Sequence, residues 1–77
     1  MLPTQTTLFA VRFGRFIRAG REAKGWTQDE TSQKLQISLP YYGMIERGQR
    51  KVDLELAMQI CVCLGLDIQD FILSYRG

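Results

Sequence analysis

Apolar residues recur at helical spacing along the first third of this chain. Between Leu8 and Lys24, the residues Phe9, Phe13, Phe16, Ile17 and Gly20 fall at i, i+4, i+7, i+8 and i+11, the stripe of an amphipathic helix that packs one face inward. Gly25 ends it. A more polar stretch follows, in which Thr27 is placed to cap a short helix and Glu30, three residues on, to complete a capping box. That helix reads to about Leu35. Ser38 then opens a third helix, which Gly48 closes. After the loop RGQRKV, Asp53 is a cap for a fourth helix with apolar positions at Leu54, Leu56, Ala57, Ile60, Cys61 and Leu64, stopped by Gly65. Asp67 caps a last one, DIQDFILSY, whose Phe71, Ile72 and Tyr75 are apolar with little core left to cover. Residues 1–7 are polar around one proline and read as a loose arm. The pattern contains no strand alternation, so it predicts a single all-α domain of five helices over residues 1–77.

The second and third predicted helices are short and are joined by a turn of three residues. This is the outline of a helix-turn-helix, whose second helix ordinarily enters the major groove of DNA. Double-stranded DNA is therefore the expected partner.

Composition narrows the alternatives. In 77 residues there is too little core for an enclosed enzyme cavity, and a hydrophobic fraction of 45% predicts a compact fold rather than disorder. The chain has no histidine, and no serine or cysteine stands beside an identifiable base, so catalysis is not expected. Cys61 and Cys63 are two apart in a helical stretch and point in different directions. With no histidine and no third cysteine to join them, they read as small buried apolar side chains rather than a disulfide or metal site. No cofactor is expected. The absence of a long apolar run or a basic start followed by one points to the cytoplasm.

The net charge of +2 is unevenly spread. Residues 1–51 carry nine of the ten basic residues against four acids, or +5, and residues 52–77 carry Arg76 against Asp53, Glu55, Asp67 and Asp70, or −3. One end of the domain can thus face phosphates while the other avoids them. Arg12, Arg15, Arg18, Arg21 and Lys24 recur every third residue, which spreads them around their helix; most of them are expected to be solvated, and they do not form one basic face.

The sequence FGRFIRAGREAKGWTQDE, followed in order by KLQIS, MIERGQRK and LELAMQICVCLGLDIQDFI, resembles the Cro/C1-type (XRE) helix-turn-helix family of bacterial and phage regulators over roughly residues 13–72. The most specific pieces are Gly25 with Thr27 and Gln28, the Ile45–Gly48 tetrad, and Leu64–Gly65 before an Asp-capped helix. The resemblance implies a five-helix lambda-repressor-like fold. It implies further that Thr27 and Gln28 sit by a DNA phosphate at a helix N-terminus. Arg21 and Glu46 would form an ion pair tying the first helix to the third. Ser38, Leu39, Pro40, Tyr41, Gly43 and Met44 would face the groove, and Arg47, Gln49, Arg50 and Lys51 would follow the DNA backbone. Phe71, Ile72 and Tyr75 would pair two copies about a twofold axis.

The chain also departs from that pattern. Direct readout normally uses Arg on guanine or Asn and Gln on adenine, and none of those stands at the expected groove-facing positions. Discrimination through that helix is therefore expected to be shallow, or to come from Gln49 and Arg50, the arm, or DNA shape. Thr31 and Tyr42 stand where smaller aliphatic residues are usual, Gln36 where glycine is frequent, and Gly20 where leucine is usual; either Phe16 fills the space that Gly20 leaves, or Phe9 and Phe16 stay exposed and mark a partner surface. Two functions follow. One is a dimeric, sequence-specific transcriptional regulator, a repressor acting at a promoter; the other is a protein-interaction module that keeps the fold and uses Leu39, Tyr41, Gly43 and Met44 against another protein.

Overall fold

The computed structural model describes residues 7–76, the side chains to Tyr75, so the arm predicted for residues 1–7 lies outside it except for Thr7. Five helices follow in order: α1 Leu8–Ala23, α2 Gln28–Leu35, α3 Leu39–Glu46, α4 Leu54–Leu64 and α5 Ile68–Arg76. Each starts where a capping side chain precedes it. Thr7 accepts from the amide of Ala10 at 3.0 Å, so it belongs to the cap of α1 rather than to a loose arm. Thr27 and Glu30 form the full capping box at α2. Ser38, Asp53 and Asp67 serve α3, α4 and α5. These bonds satisfy amides that a helix N-terminus otherwise leaves without partners.

The core is built from Phe13 and Ile17 of α1, Tyr42 and Ile45 of α3, Ala57, Ile60, Cys61 and Leu64 of α4, and Phe71 of α5. Thr31 and Tyr42, the two unusual residues, are both fully buried. The expected α1 stripe faces inward at Phe13, Ile17 and Gly20, whereas Phe9 is half exposed. Gly20 does leave a space, but Leu66 fills it: a Cβ on Gly20 would stand 2.6 Å from Leu66 Cδ1. Phe16 instead packs on Phe13 and Phe71, with ring centroids 6.5 and 5.3 Å away. The periodicity of α1 carries no information on what a later connection lays over it.

Two further expectations change. Cys61 is buried, and burial pushes its thiol pKa up, but Cys63 is half exposed. Leu54 is not a core position; with Met58 and Val62 it forms an exposed stripe on α4. No single helix among the described residues is long and apolar enough to cross a membrane. Nor do the described residues contain a cluster of groups suited to hold a metal ion.

Candidate nucleic-acid interface

Helices α2 and α3 are joined by Gln36, Ile37 and Ser38. Gln36 takes the left-handed conformation, with φ 60° and ψ 40°, and its amide and that of Ile37 turn back to carbonyls of Gln33 and Ser32. This closes α2 within one residue and sets α3 across it.

The angle between the two helices is held from below by a buried charged network. The Arg21 guanidinium on α1 meets the Glu46 carboxylate on α3 through two parallel bonds, Nε to Oε2 at 2.6 Å and Nη2 to Oε1 at 3.0 Å. Its Nη1 donates to the carbonyl of Trp26 at 2.7 Å. Gln28, at the start of α2, donates from Nε2 to Glu46 Oε1 at 2.9 Å. One carboxylate thus ties the ends of three helices together. Burial alone would raise the Glu46 pKa, but hydrogen bonds led by that from Arg21 outweigh it and hold the carboxyl below its ordinary value. The Glu46 hydrogen bond likewise raises the Arg21 pKa against the opposing effect of burial. The Tyr42 hydroxyl approaches the same carboxylate from complete burial, near enough to favour its charged form, yet has no hydrogen bond of good geometry. Burial, then the Glu46 charge, raises its pKa.

The outer face of α3 differs from expectation in detail. Ser38, Leu39 and Pro40 are exposed, although the Ser38 hydroxyl is occupied as the cap of α3. Tyr41 and Met44 are half buried. Gly43, expected on the open face, is buried beneath the side chains of Arg47 and Gln28: a Cβ there would stand 3.0 Å from Arg47 Nη1. Arg47 donates from Nε to Gln49 Oε1 at 3.0 Å, which fixes the guanidinium along the helix. Arg50 lies over the Tyr41 ring, 5.2 Å from its centroid, a cation–π contact. Arg47, Gln49, Arg50 and Lys51 are all exposed. The sequence positions of these cations were legible; the folding back of two arginines onto the surface of α3 was not.

The interface between copies that the resemblance implies differs at Phe71. Phe71 is 3% exposed and packs against Phe9, Phe13, Phe16 and Tyr75. It is a core residue of this chain and cannot meet a second copy. Tyr75 is half buried, its ring beneath Arg12 and its carbonyl accepting from Arg12 Nη1 at 3.0 Å. The apolar residues that α5 presents outward are Ile72 and Leu73, and Leu73 was missed because the helix is short and its inward face was unknown.

The sequence that builds this arrangement of a capped α2, a three-residue turn and a braced α3 matches the Helix-turn-helix family model over residues 17–71. The chain belongs to the Cro/C1-type helix-turn-helix family, whose members are transcriptional regulators and not enzymes. It is 38% identical over 53 residues to the uncharacterised HTH-type transcriptional regulator YqaF of Bacillus subtilis (strain 168), covering 69% of this chain and 70% of that protein. It is 36% identical over 55 residues to the transcriptional regulator ClgR of Mycobacterium tuberculosis, covering 71% of this chain but only about half, 49%, of that relative. Among solved structures, the clp gene regulator ClgR from C. glutamicum superposes with a TM-score of 0.82 at 30% identity, over 92% of each chain. The restriction-modification controller protein C.AhdI from Aeromonas hydrophila gives 0.73 at 31%, over 80% of this chain and 94% of that one.

Proposed function

We propose that this chain is a dimeric, sequence-reading DNA-binding regulator that places α3 in the major groove and represses by occupying a promoter. The supporting observation is the collar of exposed cations that follows α3: Arg47 folded over Gly43, Arg50 over Tyr41, and Lys51 next in the chain. Guanidinium groups at that edge would grip phosphates while Ser38, Leu39 and Pro40 meet the base edges. Each phosphate contact gives affinity that is independent of sequence and falls with salt. The exposed amide end of α2 at Thr27 adds partial positive charge. Two copies would meet through Ile72 and Leu73 with the rim of Tyr75, and the protein would act in the cytoplasm.

A second reading is a protein-interaction module, favoured by the apolar character of Leu39, Tyr41 and Met44 and by the absence of Arg, Asn and Gln from the first two turns of α3. Selection of bound sequences from a random DNA pool at two salt concentrations separates them. Enrichment of a palindromic motif that weakens with salt is the result expected of a dimeric regulator. Failure to enrich any motif assigns α3 to a protein partner, since apolar contacts are insensitive to salt screening.

A further inference from the structure

We propose that α1 carries a phosphate-binding cleft of its own, formed by Arg15 and Arg18 together with Arg47 and Gln28, and that its occupant is a phosphodiester of the DNA backbone. The inference rests on the DNA-binding reading above and extends it to a helix outside the helix-turn-helix.

The cleft exists because α1 and the end of α3 come unusually close. Gly14 has no side chain, and a Cβ there would be 2.6 Å from the Ile45 carbonyl oxygen and nearer still to that of Glu46. This contact sets the next turn of α1 beside the C-terminus of α3. The result is a recess of about 250 Å³ lined by Val11, Arg15 and Arg18 of α1 and by Gln28, Glu46 and Arg47. Its volume suits a phosphate group with its ordered water.

Charge argues for an anion in it. Glu46 lies at the floor, but both of its oxygens are taken by Arg21 and Gln28. Arg18 pairs with Glu22 at 3.0 Å in an exposed i, i+4 contact, which is weak and readily exchanged for a phosphate. Among the described residues Arg15 has no carboxylate partner, and Arg47 is bonded only to the neutral amide of Gln49. The cleft therefore gathers guanidinium groups, the side chains best suited to grip phosphate oxygens through paired N–H donors. The collar after α3 and the cleft share Arg47, so a strand passing the first continues into the second.

The test uses the full chain and a mixed-sequence DNA duplex, titrated by fluorescence anisotropy across salt concentrations, with Arg15→Gln and Arg18→Gln against Lys34→Gln. Lys34 lies at the far end of α2 and controls for net charge. Loss of one phosphate contact lowers the slope of log affinity against log salt by about 0.9. Arg15→Gln is expected to lower the slope by that amount, and affinity about threefold to tenfold, equally on all sequences; Lys34→Gln is expected to leave the slope unchanged. An unchanged slope in Arg15→Gln, with a steep parental slope, overturns the cleft and leaves the DNA-binding reading standing. A parental chain with no salt-dependent binding overturns both. Inorganic phosphate supplies the remaining arm: millimolar shifts of the Arg15, Arg18 and Arg47 side-chain NMR signals, without any effect of the substitutions on DNA, reassign the cleft to a free anion and overturn its assignment to the DNA backbone.

Discussion

Gly14 on α1 lies directly against the carbonyl oxygens of Ile45 and Glu46 on α3, where a Cβ would come within 2.6 Å of the first. Gly20, six residues on, leaves a similar vacancy, but the atoms that meet it are the terminal carbons of Leu66. The two glycines are buried in the same helix and predict different outcomes. Alanine favours a helix interior over glycine by about 1 kcal/mol. At Gly20 a flexible Leu66 side chain can give way, so Gly20→Ala is expected within about 1 kcal/mol of the parent. At Gly14 the neighbour is backbone, and separating the helices costs about 1–3 kcal/mol even after the propensity gain. Urea denaturation of the two variants checks this, and equal stabilities would refute the close approach of α1 and α3.

The Arg21–Glu46 pair makes an acid-side prediction. The folded Glu46 pKa lies below its ordinary value of 4.5, so the folded state holds its charged form more tightly than the unfolded chain does. The stabilisation is complete above the unfolded pKa and is lost as pH falls through the folded one. Arg21, with a raised pKa, stays charged throughout this range. Stability is thus expected to decline as pH falls below about 4.5, and Glu46→Gln is expected to flatten that decline. At neutral pH the same substitution leaves a buried guanidinium short of its counter-charge, and about 3–5 kcal/mol is the expected cost of breaking such a pair. Thermal midpoints at pH 3, 4, 5 and 7 for both proteins give the comparison.

Gln36 offers a gain. A non-glycine residue in the left-handed region costs about 1–2 kcal/mol, and Gln36 sits there at φ 60° with its side chain exposed. Gln36→Gly is expected to stabilise the chain by about 0.5–1 kcal/mol without altering DNA binding, measured as a rise in denaturation midpoint with an unchanged slope. A loss of stability would mean the Gln36 side chain contributes contacts that outweigh its strain.

The helices and their caps were legible because the signals are local: Thr27 with Glu30, Ser38, Asp53 and the closing glycines act within one turn. The Arg21–Glu46 pair came from family resemblance, 25 residues apart in sequence, where periodicity has no reach. What stayed hidden depends on how helices lie against one another. Leu66 over Gly20 and the burial of Phe71 follow from how the α4–α5 connection and α5 lie against α1, and Arg47 over Gly43 from the direction its side chain takes back along α3. An apolar stripe on a short helix shows that one face is buried, but not which of Phe71, Ile72 and Leu73 that face contains.

That last distinction can be tested directly. Phe71 is 3% exposed, whereas Ile72 and Leu73 are 50% and 56% exposed. If α5 joins two copies, Ile72→Asp or Leu73→Asp places a charge in the interface while leaving the core of each chain intact. Both variants are expected to sediment as folded monomers with parental helical content, and to lose affinity for a palindromic site far more than for a single half-site. Phe71→Ala removes a ring held among four aromatic neighbours, and about 3–5 kcal/mol of stability should go with it. Its defect is then in folding, visible as a lowered thermal midpoint at any protein concentration. Unchanged sedimentation in both aspartate variants, with a dimeric parent, would exclude α5 as the contact between copies and direct attention to the exposed Leu54–Met58–Val62 stripe on α4.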